Sequence, residues 1–229
     1  MSKFLVVNAD DFGYSAGINR GIVECHRRGV VTSTSLMVTG HAVEEAVALS
    51  HENPGLGIGL HWDVFGEDER AFDLEDTRAV RDEFFRQLER FEELFDRPPT
   101  HVDSHRHAHR EEHLMPLFQE LVEPLGVPLR GDGRVTFVGG FYAQWEWQVT
   151  ELEYVSVPFF EKLLQEEVRE GWTEISCHPG YVPAGEAVYS SERELEIRTL
   201  TDPRVRDAMS ALGIQLVSYR DYRRPREAA

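Results

Sequence analysis

Short apolar runs alternate with longer amphipathic segments along the whole of this 229-residue chain. The first run, residues 4–7, is continuously apolar, which indicates a strand buried on both faces. No repeat period is evident, and no Gly/Ser-rich linker divides the chain. The alternation predicts an α/β fold with a parallel sheet and crossover helices, as a closed barrel or an open doubly wound sheet. The length suits a single domain over residues 1–229.

The pattern predicts seven strands and six helices. The predicted strands cover residues 4–7, 30–38, 58–64, 101–104, 127–130, 173–177 and 214–218. The predicted helices cover residues 15–26, 42–50, 77–95, 114–125, 159–169 and 192–209, the first capped by Ser15 and ending near Gly29. Residues 131–156 fit neither pattern, and one interpretation is an insertion over the functional site. The first strand is not followed by a Gly-rich phosphate loop, which disfavours a nucleotide enzyme.

The charge and the cysteines exclude several classes of function. The net charge of −17 repels phosphate backbones and argues against a nucleic-acid or anionic-membrane partner. Cys25 and Cys177 lie far apart, which argues against a disulfide scaffold and suits a reducing compartment. No apolar stretch approaches the ~20 residues of a membrane span, and the N-terminus does not resemble a signal peptide. We therefore expect a cytoplasmic protein.

Residues suited to metal binding or proton transfer occur where the predicted strands end. They are Asp10, Asp11, His61, Asp63, Asp103, His105, Arg130 and His178. In parallel α/β folds the C-terminal ends of the strands assemble the functional site. These residues are too far apart in sequence for a local motif, so the pattern indicates ligands that converge from separate strands.

Asp10 and Asp11 share one site only if the chain turns there, because neighbouring strand residues point to opposite faces. The following Gly13 permits such a turn. An aspartate turn with a helix cap is the simpler interpretation. A base beside a metal ligand is the other, because buried carboxylates need a metal or a cationic partner.

Five of the ten histidines lie within residues 101–113, and a metal site explains such a concentration better than a solvated loop does. His105, His107 and His109 alternate, so on an extended segment they share a face and only some of them can reach one metal. His178 lies at a Pro-Gly turn that would fix its imidazole at the mouth of the fold, as a general acid requires. For Trp145 and Trp147, stacking on a sugar ring and covering the core are equally good interpretations.

Together these motifs resemble the YdjC-type carbohydrate deacetylases, which include chitooligosaccharide deacetylases and deacetylases associated with hopanoid biosynthesis. The resemblance covers nearly the whole chain. It is carried by Asn8-Ala-Asp-Asp-Phe-Gly13, Thr34-Ser-Leu-Met-Val38, Gly59-Leu-His61, His101-x-Asp-Ser-His-x-His-x-His109, Cys177-His-Pro-Gly180 and Arg193-x-x-Glu196-Leu/Ile-x-x-Leu200, in family order and spacing.

The resemblance implies a distorted (β/α) barrel of about seven parallel strands, like that of the polysaccharide deacetylases, and often a homodimer. It implies one divalent metal ion, zinc or magnesium, and hydrolysis of an N-acetyl group from an amino sugar or oligosaccharide with release of acetate. The implied ligands are Asp11, His61 and His105, with Asp10 as general base and His178 as general acid. Asp103 would orient a ligating histidine, and Arg130 and Trp145 would contact the sugar.

Two rival interpretations stand beside this one. Two histidines and a carboxylate also form the metal site of non-haem iron oxygenases, but those sites usually lie in double-stranded β folds. A sugar-binding protein without turnover is the other rival, although every position that the hydrolysis needs carries a competent residue.

Overall fold

The structure is a computed structural model, and it describes residues 2–65, 72–146, 149–182 and 189–222. The strands are β1 (Lys3–Phe12), β2 (Ser33–Leu36), β3 (Gly57–Trp62), β4 (Val102–Ser104), β5 (Thr136–Val138), β6 (Gly171–Cys177) and β7 (Ile214–Leu216). The α-helices are α1 (Ala16–Arg28), α2 (Val43–Glu52), α3 (Thr77–Phe95), α4 (Met115–Val122), α5 (Val157–Glu166), α6 (Ser191–Leu200) and α7 (Pro203–Ala211). Within the described ranges, no helix has the length and hydropathy to cross a membrane.

All the pairs of named strands are parallel, in the order β4-β3-β2-β1-β6-β5, and β7 pairs with the start of β1. Beyond β4, Leu129 forms a parallel bridge with Val102. The next strand in sequence, β5, lies at the opposite edge beside β6. A short connection can join the two edges only if the sheet curls, so the predicted distorted barrel is confirmed.

Two helices agree closely with the sequence pattern. Ser15 caps α1 by accepting a hydrogen bond from the backbone of Ile18, and Gly29 ends the helix. The α3 helix has the predicted bounds, 77–95. Its predicted apolar stripe is buried, because this face packs into the core; the stripe consists of Val80, Phe84, Leu88, Phe91 and Phe95.

Besides shifts in bounds, such as β1 over Lys3–Phe12 instead of residues 4–7, three elements differ from the prediction. Residues 127–130 contribute a single bridge rather than a strand, and the strand absent from the prediction, β5, lies within the segment 131–156. The predicted helix 192–209 is two helices. Pro203 cannot continue the hydrogen-bond ladder of α6, and the Asp202 side chain caps α7 by accepting from Arg204.

Candidate metal centre and active site

The end of β1 brings both of its aspartates to one site. The register of β1 on β2 shifts between Ala9 and Phe12, and Asp11 has a φ of 69°. This bulge interrupts the alternation of side chains, so that Asp10 and Asp11 both face residues at the mouth of the barrel. The expected turn of the chain at this position is confirmed, and both carboxylates are buried.

Three of the predicted ligands converge in the structure. Asp11 Oδ1 lies 3.4 Å from His61 Nε2 and 3.3 Å from His105 Nδ1. Ligand atoms that each lie about 2.1 Å from one metal ion are separated by roughly 3–3.4 Å, which matches this spacing. His61 belongs to β3, and His105 follows β4 directly. The three side chains thus come from three different parallel strands.

The donor set fits a cation. Asp11 Oδ1 is buried and has no hydrogen-bond partner within the described part of the chain. Burial raises the pKa of Asp11, but Arg193 and the two imidazoles outweigh it and hold that pKa well below its usual range. Burial lowers the pKa of His61, whereas Asp103, Asp11 and Asp10 raise it, with a net pKa of about 10. The surroundings of His61 therefore favour positive charge, which a metal ion would supply.

Asp103 supports His61 from the side away from Asp11. Its Oδ1 lies 2.6 Å from His61 Nδ1, and Ser35 Oγ lies 3.2 Å from the same nitrogen. A carboxylate on one imidazole nitrogen orients the ring and leaves the other nitrogen free to bind a metal. Asp103 therefore lies where a residue that orients the His61 ring must lie. A second group with suitable spacing, Asp10, His61 and Asp103, uses the same histidine.

Arg130 takes a different place from the one expected for a residue that contacts substrate. Its guanidinium has no exposed surface and pairs with three carboxylates, those of Asp10 (2.7 Å), Asp103 (2.8 Å) and Glu174 (2.6 Å). Burial raises the pKa of Asp10, but Arg130 more than compensates, and the net pKa lies below the usual value. Arg130 is thus a buried counter-ion that keeps Asp10 ionised.

The other two histidines of the alternating run lie apart from the Asp11 cluster. The chain turns directly after β4, with positive φ at Arg106 and His107, so the expected extended stretch does not form. His109 uses both ring nitrogens in hydrogen bonds, with Ser104 Oγ and the Arg130 carbonyl. His107 packs against Phe137 and belongs to neither group that could hold a metal. The geometry therefore favours His105 as the ligand from this run.

His178 lies directly after β6, and its Nε2 is 3.8 Å from Asp10 Oδ2. Its Nδ1 is buried without a hydrogen-bond partner in the described ranges. The rings of Tyr142 and Tyr189 stack on each other and approach the imidazole edge-on, at 5.6 and 5.9 Å between centroids. Burial lowers the pKa of His178 to about 4, so the imidazole is neutral at pH 7.

Two charged residues of α6 reach this site, and neither was among the site residues predicted from sequence. Arg193 donates to Asp11 Oδ2 at 2.7 Å and to the carbonyl of His178 at 3.1 Å. Glu196 accepts from the backbone N–H of His178 and from the hydroxyl of Tyr189, both at 2.5 Å. Burial raises the pKa of Glu196 to about 8. Their spacing of three residues on a predicted helix was the available signal.

An aromatic surface leads outward from His178. Trp145 is 56% exposed, and its ring contacts Tyr142 and Tyr154 edge-on. Tyr142 in turn contacts His178, so Trp145 is connected to the site through one ring. Trp147 lies outside the described residues.

Fold and site together define an α/β-barrel protein with a buried carboxylate–histidine cluster at the strand ends. The sequence matches the YdjC-like protein family over residues 4–211, and the chain belongs to that family. It is 33% identical to a chitooligosaccharide deacetylase of Serratia marcescens, over 96% of this chain and 100% of that protein. It is also 33% identical to a carbohydrate deacetylase of Geobacillus stearothermophilus, over 97% of this chain and 99% of the relative.

Solved structures show the same fold. A protein of Enterococcus faecalis V583, provisionally assigned to cellobiose-phosphate cleavage, superposes with a TM-score of 0.77 at 26% identity, covering 96% of this chain and 98% of the other. A family 4 carbohydrate esterase of Streptomyces lividans, solved with acetate, gives a TM-score of 0.57 at 8% identity, covering 96% and 95%. At that identity the second likeness concerns the fold alone.

Proposed function

We propose that this protein is a metal-dependent hydrolase that removes an N-acetyl group from an amino sugar or oligosaccharide. The observation that carries the proposal is the convergence of Asp11, His61 and His105 beside Asp10 and His178. The deacetylase names of the relatives from Serratia and Geobacillus support the same reaction class.

Asp11, His61 and His105 are the residues that would hold one divalent metal ion. Three protein ligands leave further positions open, which is the arrangement of a catalytic rather than a structural site. When bound, the metal supplies polarisation of the acetamide carbonyl and acidification of the attacking water. Two imidazoles and one carboxylate suit zinc best, and magnesium is the alternative.

Asp10 is the general base in this proposal. The Arg130 guanidinium holds the pKa of Asp10 below its usual value against the effect of burial, so the carboxylate is ionised at neutral pH. It therefore enters the reaction able to accept the proton of the attacking water. The same pairing makes Asp10 a weak base, so the proton is readily passed on.

His178 is the general acid. Because burial lowers its pKa to about 4, the resting imidazole is neutral and must take up a proton during the cycle. Asp10 Oδ2, 3.8 Å from Nε2, is the nearest group that gains one. The proton then passes to the nitrogen of the departing amine as the C–N bond breaks, leaving an amino sugar and acetate.

Trp145 and Tyr142 form the proposed surface for the sugar. An exposed indole that contacts a ring beside His178 offers an apolar face on which a pyranose can stack. A neutral N-acetylated sugar needs no basic groove, which is consistent with the net charge of −17.

We further propose a single-domain cytoplasmic protein that forms a homodimer. Strand and helix alternate into one sheet without a linker, which supports a single domain. Both cysteines are buried and unpaired, which suits a reducing compartment. The homodimer rests on the resemblance to the family, and light scattering of the purified protein tests it.

The proposal is tested by measuring bound metal and acetate release from N-acetylglucosamine oligomers. We expect one divalent ion per chain in the wild-type protein, and we expect His61→Ala to lose both metal and activity. His113→Ala is the matched control, because this histidine is exposed and contacts Leu74 and Glu75 rather than the Asp11 cluster. A His61→Ala protein that keeps its metal and its activity would contradict the assignment.

A further inference from the structure

One face of α6 contacts both Asp11 and His178. Arg193 and Glu196 lie three residues apart, so they project from the same side of the helix. Glu196 is fully buried, and the Arg193 side chain is 11% exposed. Residues of the same helix that carry only surface ion pairs, such as Arg198 with Glu194, are largely exposed.

The Arg193 guanidinium joins the proposed metal ligand to the proposed acid. One terminal nitrogen donates to Asp11 Oδ2 at 2.7 Å, and the other donates to the carbonyl of His178 at 3.1 Å. The Nε atom donates to the carbonyl of Tyr189 at 3.2 Å, so the planar group is held at all three nitrogens. Because Arg193 engages Oδ2, Asp11 has only Oδ1 free to face His61 and His105.

Glu196 completes the attachment of His178. Its Oε2 accepts from the backbone N–H of His178, while Arg193 binds the carbonyl of the same residue. Among the described residues, the His178 imidazole has no hydrogen-bond partner at Nδ1 that would orient it, in contrast to His61 with Asp103. The position of His178 therefore depends on its backbone and on the rings of Tyr142 and Tyr189.

We propose that Arg193 and Glu196 are positioning residues that hold the metal ligand Asp11 and the acid His178 at a fixed separation. Arg193 acts on both residues: it restricts Asp11 to one ligand atom, and it fixes the carbonyl of His178. Glu196 acts on the His178 side of the site, directly at the backbone N–H and through the hydroxyl of Tyr189, whose ring contacts the imidazole. The roles rest on the proposed function, but the metal-binding part is measured without turnover.

The test compares metal affinity, measured by competition with a chelator, with kcat and KM for acetate release. In Arg193→Met we expect metal affinity to fall about 10–100-fold, as for other groups that support a metal ligand. We expect kcat at saturating metal to fall about tenfold or more, with KM nearly unchanged. Arg198→Met is the matched control, because it makes the same substitution on the exposed side of α6.

Three further variants separate the contacts of Arg193 from those of Glu196. Arg193→Lys keeps a cation for Asp11 but cannot reproduce the fork, so metal affinity should recover while kcat stays low. Glu196→Ala should lower kcat about tenfold and leave metal affinity unchanged. Glu196→Gln keeps an oxygen for the N–H of His178 and should restore kcat to near the wild-type value.

Equal metal affinities in Arg193→Met and Arg198→Met would overturn the role of Arg193 at Asp11. A Glu196→Gln variant as slow as Glu196→Ala would overturn the role of the hydrogen bond to His178. If the wild-type protein binds metal but releases no acetate, the proposed function fails, and the metal affinities still decide the role of Arg193. If Arg193→Met does not fold, Arg193→Lys decides, because wild-type kcat in that variant contradicts the proposal.

Discussion

His61 and His178 lie at the ends of two strands of the same sheet, yet their imidazoles have opposite acid–base properties. Burial lowers the pKa of both rings. At His61 the carboxylates, led by Asp103 at 2.6 Å, reverse this effect and raise the pKa to about 10. At His178, Asp10 Oδ2 lies 3.8 Å from the imidazole Nε2. Arg193 and Arg130 oppose its effect on the pKa, which falls to about 4.

The difference shows that the neighbouring charges, rather than residue type or position at a strand end, set the pKa of each imidazole and therefore the role that it suits. The half around His61 has an excess of negative charge and suits a cation. The half around His178 combines aromatic rings with arginine contacts, and it keeps an imidazole neutral until a proton arrives. We expect substitutions in the two halves to fail in different ways.

The largest expected effect separates the two histidines directly. His178→Gln should lower kcat about 10²–10⁴-fold, because the proposed general acid is lost, while the bound metal stays at the wild-type level. Metal analysis and acetate release on the same sample measure both quantities. Loss of metal in His178→Gln would show that the two halves are not separate.

The second-largest expected effect concerns Arg130 and the buried carboxylates that it neutralises. Arg130→Met would leave the buried carboxylates of Asp10, Asp103 and Glu174 without their shared cation. We expect the free energy of unfolding to fall by about 3–5 kcal/mol, as measured by urea denaturation. Arg198→Met, which removes an exposed arginine, should change it by less than about 0.5 kcal/mol. Equal stabilities of the two variants would contradict the account.

Metal affinity should depend on pH through His61, whose pKa is raised from 6.5 to about 10. Metal binding must displace the proton of His61, so affinity should rise about tenfold per pH unit between roughly pH 6.5 and 8.5. In the metal-free protein the raised pKa stabilises the fold fully below pH 6.5, and this stabilisation is lost as the pH rises toward 10. The Tm of the metal-free protein should therefore fall over the same range. A flat profile in both measurements would contradict the charge assigned to this half.

The smallest effect belongs to the aromatic surface. Trp145→Ala should remove about 1 kcal/mol of apolar contact with the sugar and raise KM roughly fivefold, with kcat nearly unchanged. The matched control is Phe85→Ala, which removes an exposed aromatic ring elsewhere in the protein, on α3. Equal KM values in the two variants would remove Trp145 from the substrate surface.

The half of the site around His61 was the more predictable from sequence. Asp10, Asp11, His61 and His105 each lie where a predicted strand ends, and the parallel topology brings such strand ends together. A site shared by Asp10 and Asp11 was expected to require a turn of the chain, and the structure provides it as a bulge at Asp11. Arg130 was predicted to contact substrate, and its burial was not predicted. Its partner Asp10 is 120 residues away, and a charge pair between residues so far apart leaves no local pattern in the sequence.

The half around His178 was less predictable. Arg193 and Glu196 lie on a helix rich in charged residues, where no apolar period marks the inward face. The strand β5 and the ring of Tyr142 fall in a segment without a recognisable pattern, because β5 has only three residues and pairs with a strand much later in the chain. Apart from the three-residue spacing of Arg193 and Glu196, tertiary contacts define these positions.

The most direct test of the account is an anomalous difference map from crystals of the protein loaded with zinc. We expect a single peak in contact with Asp11 Oδ1, His61 Nε2 and His105 Nδ1, with Asp103 still hydrogen-bonded to His61 Nδ1. A peak among Asp10, His61 and Asp103 would contradict the assigned roles, because it would place the metal on the proposed base instead of on Asp11.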